Sequence, residues 1–484
     1  MQAIQQRFNY LFRSTKGLTL VAVALLSIAT AIWSMLSGPM AEWGIRDFVV
    51  RALNMTLLES EREGRIIMLY HSIAMTIVAI EVYFITAMVT MKEHQKTGIN
   101  AVVTVGYMFS LIFGLVFGYF GHNYVFHGLF IFGQSMMFFG GLWLASALWP
   151  WNPDYYIDDP QRSRTKKGLD LERVAFFAMA FATLGSALFG AVPGSNFGNG
   201  FETFLAEDII RQPNKNPFQL AVIGHLHIML TLIGVAITLI IGRWLDFRGT
   251  WHKLAMPTMI GGTIILTMGV WAVVPFEPIA HTIIYGGSFF VLLGGLFLVI
   301  FAWGRLIRDR LGEQGIEKAT FKQKIAALLS DPLKFGATWQ MVFMNFVVTF
   351  VGLFMAAKLD EVMRVLPARE ERITLTGHWH ILATLIATIM LFYFADMMGL
   401  KGKARKWFGW LVILGSDLAF AAVTIFSVKR LFVSEAAQEP LVTWMIILGD
   451  IGVAVVLVSL AIFMLWRLGD LFKKSGRWAE ELAE

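Results

Sequence analysis

The chain alternates between long apolar runs and short polar connections. Runs of about 20 apolar residues can each cross a bilayer as one helix. Twelve such spans are predicted, at 18–38, 66–90, 100–120, 124–149, 173–193, 217–242, 254–275, 280–303, 338–357, 375–398, 407–428 and 441–466. The pattern therefore predicts an all-α, polytopic membrane protein in which residues 1–484 form a single transmembrane domain.

The distribution of basic residues predicts the orientation of these spans. Most Lys and Arg fall in alternate loops on the side of the N-terminus, for example at Arg305, Arg308, Lys401 and Lys403. Cytoplasmic loops of membrane proteins carry this excess. We therefore expect twelve helices with both termini on the inner side. The segments 39–64 and 304–337 are predicted to be short amphipathic caps.

Composition fits this picture and narrows the chemistry. The chain is 57% hydrophobic and 15% charged, with mean hydropathy +0.64. Its net charge of +6 is explained by the basic inner loops, so no nucleic-acid partner is expected. Cysteine is absent, which excludes disulfides, thiolate-ligated clusters and thioether-attached haem within this chain. Any haem is expected to be held by histidine or methionine.

Eight of the ten histidines fall at the predicted outer level of the spans. Ionisable residues inside a membrane are costly and are functional candidates by default. The eight are His71, His122, His127, His225, His227, His281, His378 and His380. The other two, His94 and His252, lie in predicted inner loops and are expected to be solvated.

Two histidine pairs have a spacing that separates their side chains. Residues i and i+2 of an α-helix point about 200° apart. His378 and His380 therefore face nearly opposite sides of one helix, and so do His225 and His227. Neither pair can share a small metal site, but each could hold a flat group on either flank.

Several segments resemble the haem–copper oxidase and nitric oxide reductase superfamily, subunit I. The similarity covers most of the chain and includes the twelve predicted spans with both ends inside. The segments that carry it are Gly377-His-Trp-His-Ile-Leu-Ala-Thr, Leu69-Tyr-His71, Gly224-His225, Ala280-His281 and Lys429-Arg430.

The resemblance implies a set of ligands. His71 and His380 would be the axial ligands of a low-spin haem b, and His378 the proximal ligand of a high-spin haem b. His225 and His281 would help to hold a second, non-haem metal, iron or copper. Lys429 and Arg430 would neutralise haem propionates.

The chain departs from the family pattern around the second metal. A threonine, Thr282, follows His281 where the family usually has a second histidine. Met229 stands where common oxidases carry a tyrosine and nitric oxide reductases a glutamate. Glu277 could supply an oxygen ligand with a catalytic role, which suits iron or manganese better than copper.

Three carboxyl groups also lie within predicted spans, at Glu81, Asp417 and Asp450. A lone carboxylate is expensive in hydrocarbon. Each is either a proton relay group or a neutral acid hydrogen-bonded to a neighbouring helix, and the sequence does not choose between them.

Three functions compete. The first is a respiratory oxidoreductase subunit of the inner (cytoplasmic) membrane that reduces a small gas molecule, with nitric oxide favoured over oxygen because the oxidase tyrosine is missing. The second is a di-haem b electron conduit between a quinone and a partner protein. The third is a haem-free transporter. Both redox functions imply a quinol or a c-type cytochrome as electron donor, and a multi-subunit complex in the lipid membrane.

Overall fold

The protein is described by a computed structural model that covers residues 2–37, 41, 43–58, 62–121, 123–163, 168–194, 215–473 and 476–483. His122, a candidate from the sequence, lies outside the described residues. Within these ranges, every assigned secondary-structure element is a helix. The prediction of an all-α protein is therefore confirmed.

The α-helices are numbered α1 to α16 in chain order. Their bounds are Gln2–Arg13, Thr15–Ser37, Ile45–Ala52, Arg62–Met88, Glu93–Phe120, Tyr124–Ala147, Leu171–Gly194, Pro217–Trp244, Gly249–Glu313, Phe321–Leu328, Pro332–Val342, Thr349–Ala357, Ala368–Met397, Gly402–Val428, Glu435–Asp470 and Arg477–Ala483. Two π-helical segments, Phe343–Val348 and Leu359–Met363, precede and follow α12.

Within the described ranges, eleven helical segments are long and apolar enough to cross a membrane. A helix satisfies its backbone hydrogen bonds internally, which is the condition for crossing hydrocarbon. The segments from Thr15 to Asp470 agree with the predicted spans, apart from one difference. The predicted spans 254–275 and 280–303 both lie in the single element α9.

The backbone of α9 turns sharply near its middle. Phe276 has φ −145° and ψ 53°, outside the helical region. Pro275 and Pro278 flank this turn. A proline inside a helix removes a hydrogen-bond donor and clashes with the preceding turn, so helices break or kink there.

The two limbs of α9 fold back on each other. Gly262 lies against Val291, where a Cβ atom would come 2.8 Å from the Val291 nitrogen. Gly269 lies against Ile284, with a corresponding distance of 2.9 Å to its nitrogen. In each pair, the two residues lie equally far along the chain from the turn. We call this arrangement the α9 hairpin, and Glu277 lies at its tip.

The chain divides into two compact units. Unit 1 comprises Met1–Ile240 and Arg248–Leu293, and unit 2 comprises Ile241–Phe247 and Gly294–Glu484. In unit 1, α4 packs on α5 and α5 packs on α6. In unit 2, α11 packs against both α13 and α14, and α14 packs against α15.

A buried arginine in unit 1 and a partly buried arginine in unit 2 each join the ends of several helices. In unit 1, Arg173 at the start of α7 donates to the carbonyl of Thr90 at 2.7 Å and to that of Ala147. In unit 2, Arg405 donates to both Asp331 and Asp396. Asp331 also caps α11 by accepting from the Leu333 amide, with a proline in the first turn. Such caps satisfy amides that have no partner within the helix.

Candidate functional site

His71 lies on α4 in unit 1, within a segment able to span a membrane. Its Nδ1 lies 2.8 Å from the carbonyl oxygen of Ile67, one turn earlier. A carbonyl oxygen can only accept a hydrogen bond, so Nδ1 carries the proton. In a neutral imidazole the lone pair is then on Nε2, and this nitrogen is available to a metal.

His225 lies on α8 and is oriented by a different helix. Its Nδ1 lies 2.9 Å from the carbonyl oxygen of Ser186 on α7. The same reasoning places the proton on Nδ1 and the lone pair on Nε2. Metal-ligating histidines commonly donate their other ring N–H to a backbone carbonyl, which fixes the tautomer and the ring orientation.

A glycine makes room for the His225 ring. Gly190 lies one turn after Ser186 on α7, and a Cβ atom there would overlap the imidazole. Ser186 itself is fully buried, and its hydroxyl lies 3.3 Å from the indole nitrogen of Trp271 in the α9 hairpin. The sequence alone does not indicate that Ser186 orients the His225 ring or that Gly190 leaves space for it. Both roles depend on α7 lying beside α8.

The structure brings His71 and His225 together. Their ring centres are 6.2 Å apart and their planes differ by 15°. The edge of Phe130, on α6, approaches His71 with ring centres 6.5 Å apart. The sequence did not pair these two histidines, since the resemblance assigns them to different metal centres.

His227 occupies a different face of α8 from His225. It is exposed, and its Nδ1 lies 2.7 Å from the carbonyl oxygen of Ile223 on its own helix. The different exposure and hydrogen-bond partners agree with the prediction that His225 and His227 point to different sides of the helix.

The three candidates for the second metal do not assemble. Glu277 and His281 are both exposed, at the tip and in the second limb of the α9 hairpin. Among the described residues, no three or more His, Asp or Glu side chains form a group that could hold a metal ion. His225, His281 and Glu277 are all described, so they do not form such a group.

In unit 2, His378 lies on α13 and its ring packs against α12. A Cβ atom at Gly352 would come 2.5 Å from both Cε1 and Nε2 of His378. The glycine therefore lets the imidazole approach the α12 backbone. Both ends of α12 border π-helical segments, which occur frequently at functional sites.

His380 lies two residues further along α13. It is exposed, whereas His378 is partly buried. The different exposure agrees with the prediction that the two side chains point to different sides of the helix.

Lys429 and Arg430, the expected propionate partners, contact a carboxylate of unit 2 that sequence reasoning missed. Arg430 Nε lies 2.6 Å from Glu370 Oε2, and Lys429 Nζ lies 3.9 Å from Glu370 Oε1. Lys429 is buried and its ammonium lies 4.4 Å from the centre of the Phe426 ring. Glu370 lies in the polar first turn of α13, before its apolar part. The sequence therefore does not distinguish it from other carboxylates at the start of a helix.

The remaining described histidines differ in their surroundings. His127 is partly buried and stacks on Phe117 with ring centres 5.2 Å apart. His94 is exposed, as expected. The expectation for His252 is wrong, because this residue is fully buried. The reason is that α9 begins at Gly249 and places His252 in a packed first helical turn rather than in a loop.

One of the three carboxyl groups in the predicted spans has a hydrogen-bond partner at each of its two oxygens. Asp417 accepts hydrogen bonds from Trp339 Nε1 at 2.9 Å and Gln340 Nε2 at 3.1 Å. Glu81 is 3% exposed, and its Oε1 has no hydrogen-bond partner among the described residues. The structure therefore distinguishes Asp417, which has hydrogen-bond donors, from Glu81, whereas the sequence alone did not distinguish them.

Comparison with known proteins adds no family to this description. No protein-family model, no curated protein and no solved structure matches the chain.

Proposed function

We propose that this chain is a haem b-containing oxidoreductase subunit of a membrane electron-transfer complex. The observation that carries the proposal is the arrangement of His71 and His225. Each is a histidine of an apolar helix whose Nδ1 is held by a carbonyl oxygen, with the lone pair on Nε2. An imidazole in this state is a good axial ligand for haem iron.

The residues present fit a haem ligand role. The ring nitrogens of His71 and His225 are oriented by Ile67 and Ser186, and Gly190 accommodates the His225 ring. The proposed axial ligands include His71, His378 and His380. A haem supplies reversible one-electron chemistry, and the chain supplies the ligand field and the apolar surroundings that tune it.

The second, non-haem metal is left out of this proposal. Its expected ligands, His225, His281 and Glu277, do not form a group of three, whereas metal sites made only of protein ligands generally need three or four. Electron transfer between a quinol or cytochrome donor and a partner protein needs no such metal, and it is the function that we propose.

Reduction of a small gas molecule at His378, with nitric oxide favoured over oxygen, is a second candidate. The observation that favours it is the position of His378 beside α12, both ends of which border π-helical segments. Segments of this kind often mark functional sites. A five-coordinate haem on His378 is the condition for this function.

We also propose that the α9 hairpin crosses the membrane twice, which gives twelve crossings with both termini on the inner side. The turn at Phe276 and the antiparallel contacts of its limbs support this. Because the sequence has no cysteine, single-cysteine variants give no background labelling. A membrane-impermeant maleimide should label E277C from the outside and K318C only from the inside, and the opposite pattern contradicts the topology.

An optical spectrum of the purified protein tests the redox function. The dithionite-reduced protein is compared with and without carbon monoxide, together with a pyridine haemochrome assay. Haem b without a carbon monoxide shift supports the electron conduit, and a shift in part of the haem supports gas reduction. Absence of haem rejects both and leaves a transporter that uses histidine side chains.

A further inference from the structure

A cavity opens on the surface of unit 1, far along α4 to α6 from the histidines. It lies between the start of α5 and the end of α6, and its volume is about 270 Å³. Its walls come from the first turn of α5, the last turn of α6 and the segment that follows α6. The residues that line it include Lys92, Gln95, Ala147, Trp149, Asn152 and Tyr155.

The cavity lies at the level where a bilayer meets water. Both α5 and α6 are long and apolar enough to cross a membrane, and the cavity is at the ends of both. Trp149 and Trp151 are half-exposed, and their ring centres lie 4.8 Å apart. Each also meets Phe177 of α7 edge to face, at 5.4 and 5.7 Å. We call these three residues the aromatic cluster. Tryptophan is enriched at membrane–water interfaces because its ring is amphipathic.

The polar part of the lining presents hydrogen-bond donors. Gln95 Oε1 accepts from the Lys92 amide at 3.2 Å, and Asn152 Oδ1 accepts from the Asp154 amide at 3.1 Å. Because the backbone engages the oxygen of each side-chain amide, the NH2 group is the end that can bind a ligand. Lys92 adds an ammonium group with three donors.

The charge of the lining is positive. Among the described residues that line the cavity, Lys92 is the only charged one. Glu93 and Asp154 neighbour lining residues in the chain but do not line the cavity themselves. A cation surrounded by amide donors matches a phosphate group, whose ionised oxygens accept strong, charge-assisted hydrogen bonds.

A buried arginine fixes two of the walls. Arg173 of α7 is 3% exposed and donates to the carbonyl oxygen of Ala147. Its guanidinium carbon also lies 3.6 Å from the centre of the Tyr155 ring. One side chain therefore holds two lining residues from different segments and places a second positive charge behind the Tyr155 ring. Walls that are ordered before binding lose less freedom when a ligand arrives.

The volume limits what can bind. Pockets that enclose a drug-sized molecule have about 300–1,000 Å³, so this smaller cavity suits a headgroup whose remaining part stays outside. We propose that it binds the phosphate of an anionic phospholipid, with Lys92 at the phosphate and the lipid chains against the aromatic cluster. Basic pockets between transmembrane helices on the cytoplasmic side bind such headgroups. The cavity lies on that side in the proposed topology, and the inference does not depend on the proposed redox function.

The test uses the full chain, purified in detergent and stripped of lipid, to which phosphatidylglycerol is added. Native mass spectrometry measures the affinity of the bound lipid. Lys92→Gln should weaken binding about fivefold, the effect of one lysine near an anionic headgroup, and Lys92→Arg should preserve it. Lys96→Gln is the matched control, because Lys96 lies one turn further along α5 and does not line the cavity. Lys92 is exposed, so its replacement should not disturb folding.

Two further ligands identify the source of the phosphate. Phosphatidylcholine carries the same phosphodiester without a net charge and should bind more weakly than phosphatidylglycerol. Inorganic phosphate at millimolar concentration should not displace phosphatidylglycerol, because it has no chains to pack on the aromatic cluster. Displacement by inorganic phosphate overturns the inference in favour of a soluble anion. Equal affinity for both lipids, or equal losses in Lys92→Gln and Lys96→Gln, also overturns it and leaves a surface that attracts lipid without a specific site.

Discussion

The two units treat polar groups in their apolar helices differently. In unit 1, His71 and His225 each satisfy one ring nitrogen with a backbone carbonyl. The other nitrogen retains its lone pair. In unit 2, both carboxyl oxygens of Asp417 accept hydrogen bonds, from Trp339 and Gln340. Gln340 also donates to Ser416.

The comparison distinguishes a structural polar group from a functional one inside a membrane. Both kinds are expensive to bury. A group whose hydrogen-bonding capacity is filled by neighbouring helices acts as a tertiary contact, which is how we interpret Asp417. A group held by one atom and open at another is prepared for a ligand, which is how we interpret His71 and His225.

The largest effect on stability is expected from Asp417→Leu. The change leaves the indole N–H of Trp339 without its acceptor and removes one of two acceptors of the Gln340 amide. The free energy of unfolding should fall by about 2–3 kcal/mol, the cost of unsatisfied buried donors. Reversible unfolding in mixed detergent, followed by tryptophan fluorescence, measures it.

Asp450→Leu is the matched control for this prediction. Asp450 is also a partly buried intramembrane aspartate, but unlike Asp417 it accepts no hydrogen bond from a described residue. Its replacement should change the free energy of unfolding by less than about 0.5 kcal/mol, as for a surface position. Equal losses in both variants would show that Asp417 is no stronger a tertiary contact than Asp450.

A smaller effect on stability, but a specific effect on the site, is expected from Gly190→Ala. The new methyl group overlaps the His225 ring and must displace it. Overpacking of this kind costs about 1–2 kcal/mol, and the low-spin haem signal should decrease with it. Gly194→Ala on the same helix is the control, since no described residue lies within 4 Å of a Cβ there. An unchanged signal in Gly190→Ala would mean that the position of His225 does not matter to the haem.

The smallest effect is expected from Glu370→Gln. This change removes the carboxylate that pairs with Lys429 and Arg430. Arg430 is 47% exposed, and the contact to the buried Lys429 is long, at 3.9 Å. Exposed ion pairs contribute little, so we expect a loss of about 0.5 kcal/mol that vanishes at high salt. Thermal unfolding at two salt concentrations checks this. A loss that persists at high salt would place this cluster among the structural contacts of unit 2.

The apolar pattern was sufficient to predict most helices and the opposed faces of His225 and His227, because both depend on the geometry of one helix. It could not predict that His225 lies beside Ser186 and His71. Helices that are apolar on most sides carry no clear stripe to show which face meets which neighbour. The partners of Asp417 and the role of Gly190 were missed for the same reason.

The α9 hairpin also has a consequence for how the chain enters the bilayer. Apart from His281, Glu277 at its tip is the only acidic or basic residue between Lys253 and Arg305. In the proposed topology, translocation of the tip requires the dehydration of one carboxyl group and one imidazole, and both basic flanks remain on the starting side. The two limbs can insert together as one helical pair, already packed through Gly262 and Gly269, before the later helices of the chain are synthesised.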